Sequence, residues 1–245
     1  MLIISKKQML SFEAYQRDRF CAEICQALQT RYPNLKRVCS NNDLVQAVNQ
    51  CLLNGQSMGF DARSEIAHYT LLCFQFGISF IDDPLLPWAT ETLRYAPVER
   101  IHYLGSGAKA YAKSVLGINH RLLNAALGCW IAADTIAPPL DTEELRMLYP
   151  KKADYAGSKT LDAFLHTSNT FIQDYAIVEP AIRNEIIRCA FIFGCRIHQD
   201  PFAPAIRQLV HSKLRESTPQ WIDRLKALAL DLYWARRPSS MTERT

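Results

Sequence analysis

Two stretches of this chain can be laid over one another without a gap. In the segment Phe74–Trp88, residues Phe74, Phe76, Gly77, Phe80, Asp83, Pro84 and Pro87 fall opposite Phe191, Phe193, Gly194, Ile197, Asp200, Pro201 and Pro204 at one constant offset. Each copy reads as the end of one helix, a tight connection and the start of the next. Gly77 and Gly194 follow apolar runs and suit the left-handed position just past a helix C-terminus. Asp83 and Asp200 precede prolines, and the spacing predicts them as N-caps of helices whose first residue is Pro84 or Pro201. A chain with two such junctions is expected to fold as two related halves.

The rest of the pattern is helical. Ser5 caps a predicted helix to about Arg31 with Met9, Phe12, Phe20, Ile24 and Leu28 on one face. Asn41 or Asn42 opens a second helix, with Leu44, Val45, Val48 and Leu52 inside, and Asp61 is the expected cap of a third. Gly105-Ser-Gly107 is expected to kink or break a helix. Pro180 and Thr218-Pro219 mark later helix starts. No stretch alternates like a strand. The expectation is an all-α bundle of about ten helices, with a half over 1–136, a half over 137–245, and the seam at the connector 137–142.

Composition bounds the function. At 245 residues and 49% hydrophobic content there is enough for one large core or two modest ones. A net charge of +4 with Lys6, Lys7, Arg17 and Arg19 scattered among acids does not make a phosphate-tracking stripe, so nucleic acid is not an expected partner. No apolar run reaches bilayer length and the N-terminus does not read as a secretory signal, so the expected location is cytoplasmic. Eight cysteines lie mostly within apolar helical patterns and read as reduced core thiols. Cys21 and Cys25, one turn apart, lack the further ligands a metal site needs.

No catalytic constellation stands out. The six histidines have no His-x-x-x-His or His-Glu-x-x-His spacing. His198 is expected at the surface or as a local cap, with a partner role as the sharper reading. Asp82 and Asp83 are adjacent, so they point apart, and Asp83 reads as a cap first. Glu143 and Glu144 suit a helix start. Trp88 has Ala205 opposite it in the second copy, which makes it either local packing or a binding anchor rimmed by Arg94, Tyr95 and Glu99. No cofactor or metal is expected.

Two of these stretches together carry a resemblance. Ile4, Gln8 and Met9 followed by Phe12, and then Phe76, Gly77, Phe80, Asp83, Pro84, Pro87 and Trp88, resemble small all-helical bacterial proteins encoded beside secreted toxins, particularly those of type VI secretion systems. The resemblance covers about the first 95 residues. The chain departs from the group at Gln56-Ser-Met58-Gly-Phe60, where an Arg-Ala and Tyr-Gly-Ile segment is usual. It implies a toxin-associated role and supplies no catalytic residue. The resulting expectation is a non-enzymatic immunity protein that binds a cognate toxin. The alternatives are an adaptor that loads a secreted effector, and an all-helical enzyme with a pocket between the halves that holds His198 and Asp200. Homodimerisation is left open.

Overall fold

The computed structural model of the chain describes residues 5–133, 140–173, 175, 177, 179–212 and 217–239. Among these residues there is no strand. Twelve α-helices follow one another: α1 Lys6–Arg31, α2 Asn41–Ser57, α3 Arg63–Phe76, α4 Pro87–Glu91, α5 Pro97–Tyr111, α6 Arg121–Ala132, α7 Thr142–Leu148, α8 Pro150–Ala156, α9 Ser158–Gln173, α10 Pro180–Phe193, α11 Pro204–His211 and α12 Thr218–Ala235. None is long and apolar enough to cross a membrane. Residues 137–139 of the expected seam lie outside the described residues.

Local chemistry accounts for most helix ends. Ser5 and Gln8 form a reciprocal capping box at α1. Pro97, Pro150, Pro180 and Pro204 each open a helix where a missing N–H costs nothing. α2 opens at Asn41, as expected, and its cap is Ser40, whose hydroxyl accepts from Asp43 N. At α3 the cap is Ala62 rather than Asp61, and Glu65 reaches back to accept from Ala62 N at 3.1 Å. The pair Gly105 and Gly107 breaks nothing: α5 runs through both. Each is a point of close approach. A Cβ on Gly105 would sit 2.9 Å from the His68 ring, and one on Gly107 would sit 2.6 Å from Trp88.

A single hydrophobic core extends from Cys21 on α1 to Tyr233 on α12. The most enclosed element is α10, where every residue from Glu185 to Phe193 is buried. The two charged residues of that stretch, Glu185 and Arg188, survive there by pairing. Arg188 bonds Glu185 at 2.5 Å and also Glu144, and Glu185 accepts from Trp130 Nε1 at 2.5 Å. The last helix, α12, crosses the expected seam to pack on the 3₁₀ turn Pro33–Arg37 as well as on α10 and α11. Among the described cysteines all are free thiols, and only Cys129 is exposed.

The two junctions depart from the sequence expectation in a specific way. Neither aspartate caps a helix at the proline that follows it. The helices begin at Pro87 and Pro204, and each aspartate instead closes an Asx turn across its own Asp-Pro step. Asp83 Oδ1 accepts from Leu85 N at 2.9 Å, and Asp200 Oδ1 accepts from Phe202 N at 3.0 Å. The second oxygen of each reaches farther. Asp83 Oδ2 accepts from Cys195 N at 2.9 Å, which ties the first junction to the second. Asp200 Oδ2 accepts from Arg236 Nη2 at 2.8 Å, which ties the second junction to the end of α12. Both carboxylates are buried.

Candidate functional site

Of the two readings of Trp88, local packing is the one its surroundings match. It is the second residue of α4 and is 9% exposed, edge-on to Phe76 at 5.5 Å and close to Phe80 and Tyr111. The indole fills the space left by the absent side chain of Gly107, so it anchors the core. His198 is likewise internal, contrary to the surface placement expected of it. It is 2% exposed beside Phe171 and Tyr175, and among the described residues neither ring nitrogen has a partner. Burial pushes its pKa down to about 4, and His211 and Arg196 push the same way. The other three expected residues are exposed: Arg94, Tyr95 and Glu99. Tyr95 stacks on Tyr103 at 3.8 Å, and with Leu93 and Val98 these rings leave an apolar corner at the start of α5.

A larger exposed feature lies on α1. Ile24 and Leu28 are buried as the periodicity predicts, but Met9 and Phe12 from the same expected face are more than half exposed. Leu10 and Tyr15 are exposed too. The N-terminal half of this helix therefore projects with little cover. At its base a groove of about 530 Å³ runs between α1 and the α2–α3 connection. Leu10, Phe20, Leu52 and Ile66 supply its apolar wall, with Arg17, Asp61 and Arg63 at its rim. Arg63 is held over the Phe20 ring at 4.4 Å and bonds Glu23 at 2.7 Å. The α1 sequence holds the signal for this: apolar residues at 9, 10, 12 and 15 do not share one helical face.

An internal cavity of about 40 Å³ lies between the junctions. Asp83, Lys152, Arg236, Gln75, Tyr111 and His120 bring polar groups to it, while Phe76, Leu86, Leu116 and Leu123 make it largely apolar. Burial lowers the Lys152 pKa to about 8; Arg236 adds to this, and Asp83 and Cys195 oppose it. Burial raises the Asp200 pKa, and the Arg236 guanidinium bonded to it opposes that rise. The pocket foreseen between the halves would hold His198 and Asp200. The observed cavity holds neither: Asp200 stands behind Arg236, and His198 is walled off by Phe171 and Tyr175. Lys152 was not foreseen, although it shares a helical face with Tyr149 and Ala153, both buried.

The turn beside the cavity is strained. A π-turn over Ala112–Leu116 leads to Gly117, and Asn119 and His120 then both take positive φ, at 52° and 60°. Two successive non-glycine residues in the left-handed region cost about 1–2 kcal/mol each. Such outliers and π-turns cluster at functional sites. Leu116, His120 and Leu123 from this segment all reach the cavity.

Set against known proteins, the chain matches no protein-family model, no curated protein and no solved structure.

Proposed function

We propose that this protein is a non-enzymatic binding module that neutralises a cognate bacterial toxin, with the projecting half of α1 as its principal contact. The observation that carries the reading is the exposure of Met9, Leu10, Phe12 and Tyr15. At about 100° per residue these four side chains point to different sides of the helix. Polar residues such as Gln8, Ser11 and Glu13 lie between them, but four large apolar side chains exposed within seven residues form the kind of surface that marks an interaction site. Burying what these four side chains still expose is worth about 3–7 kcal/mol gross. Association costs about 4–15 kcal/mol, so tight binding also needs the groove at the base of the arm and its mixed-charge rim. The toxin as partner rests on the resemblance, whose opening residues Gln8 and Met9 lie on this arm. Arg94, Tyr95 and Glu99 form a secondary contact, reached across the α2–α3 connection where Gly59 packs on Pro97.

The module works in the cytoplasm, where a toxin would act on its producer. Its two halves, 1–136 and 137–245, derive from one duplicated helix-turn-helix unit. Support for that comes from the gapless match between the junctions and from their shared order of elements. In both, a helix ends at a glycine of positive φ, then come a 3₁₀ turn, an Asp-Pro step and a proline-led helix. An adaptor that escorts an effector would use the same arm but would bind a transport region and leave the toxin active.

The test is a tagged pull-down from the native host with the wild type and with Leu10→Asp/Phe12→Asp. The stoichiometric partner is identified by mass spectrometry, then expressed in a neutral host alone and with this protein. The reading predicts a partner that is toxic alone, harmless with the wild type, and uncaptured by the variant. A partner bound equally well by the double variant overturns the arm. A partner that is harmless alone overturns immunity.

A further inference from the structure

Lys152 and Arg236 present more donors than the protein satisfies. Lys152 is buried, and its ammonium makes one long hydrogen bond, to Ile192 O at 3.4 Å, beside the Phe191 ring at 5.6 Å. Among the described residues no carboxylate oxygen lies within 4.0 Å of it. Arg236 uses Nη1 on Phe193 O and Nη2 on Asp200, while among the described residues its buried Nε has no partner. Both residues line the same cavity. A buried cation with unused donors is unfavourable unless something negative or strongly polar completes it.

The other walls narrow what that can be. The volume of about 40 Å³ leaves room for about three waters, or for an anion of a few heavy atoms. Asp83 also faces the space, with its oxygens already accepting from Leu85 N and Cys195 N, so a dianion would meet a fixed negative charge. Phe76, Leu86, Leu116 and Leu123 also line the space and suit a short hydrocarbon tail.

We propose that this cavity binds a short-chain monocarboxylate, with its carboxylate between Lys152 Nζ and Arg236 Nε and its alkyl end against Leu116 and Leu123. The ligand would complete the contact between the two junctions and hold the strained turn at Asn119 and His120 in place. This site is separate from the arm on α1 and stands or falls without it.

The test is calorimetric titration of the whole chain with propionate, with propionamide as the neutral analogue of the same shape, and with chloride and phosphate at matched ionic strength. Saturable propionate binding at least tenfold tighter than each of the other three supports the site. Propionate binding no tighter than propionamide or chloride, or no saturable binding at all, overturns it using the wild type alone. Lys152→Met then locates the site: a folded variant should lose at least tenfold in affinity, and unchanged affinity refutes the assignment. Should that variant not fold, Leu123→Trp fills the tail end of the cavity without changing charge, and undiminished binding there is equally fatal.

Discussion

Gly77 and Gly194 hold equivalent places at the two junctions, yet alanine should affect them very differently. Both have backbones open only to glycine, with φ/ψ of 95°/151° and 128°/143°. Forcing an L-residue into that region costs about 1–3 kcal/mol. At Gly77 the added methyl would find ordinary contacts, 3.5 Å to Asp200 Oδ2 and 3.8 Å to Phe193 O. At Gly194 it would lie 2.7 Å from Phe76 O, a backbone atom with no rotamer to escape into. Overpacking of this kind adds about 1–3 kcal/mol. Gly77→Ala should therefore lose about 1–3 kcal/mol and Gly194→Ala about 2 kcal/mol more. At roughly 2–4 °C per kcal/mol for a chain of this size, the two melting temperatures should differ by about 4–8 °C. Urea unfolding followed by tryptophan fluorescence, with m checked for constancy, measures this. If Gly194→Ala is no worse than Gly77→Ala, the close seating of the second glycine on the first junction is refuted.

Two further outcomes concern buried charge. Burial holds His198 neutral with its pKa at about 4 against an ordinary 6.5, so its contribution is complete above pH 6.5 and is lost as pH falls toward 4. The loss reaches roughly 3 kcal/mol at most. His198→Phe, between Phe171 and Tyr175, should flatten the fall in urea midpoint from pH 7 to pH 4, and an unchanged slope would rule this residue out as its source. Arg236→Met strands Asp200 in the core and should cost about 3–5 kcal/mol at pH 7. Adding Asp200→Asn should restore part of that, and a double variant less stable than the single one would contradict the pairing.

What the sequence made legible follows from which interactions are local. Ser5, Pro97 and Pro180 mark helix starts because capping and the missing proline N–H act within one turn. Asp83 and Asp200 mislead because an Asx turn and a helix cap use the same Asp-Pro pair. What separates them is the second oxygen, whose partners are Cys195 and Arg236, 112 and 36 positions away. Gly105 and Gly107 look like breakers until His68 and Trp88 arrive against them. Trp88 stayed open between packing and anchor because the connection before it is rich in turn residues, while the cage that decides it comes from α3 and α5. Of the candidate surface, Arg94, Tyr95 and Glu99 are where a reader of the sequence would put them. The α1 arm was hidden because a helix apolar at 9, 12, 20, 24 and 28 looks buried throughout, and only the absence of a neighbour over its first turns exposes it.

The path of α12 sets an order of events during synthesis. Its contacts with Pro33–Arg37, and the Arg236 carbonyl that accepts from Gln75 Nε2 at 3.4 Å, mean that early residues wait for late ones. While the ribosome is still making residues beyond about 218, Asp200 lacks its cation and the turn Pro33–Arg37 lacks its cover. Until α12 is made, part of the interior faces water, so a nascent chain halted before Arg236 should aggregate more readily than one that carries it.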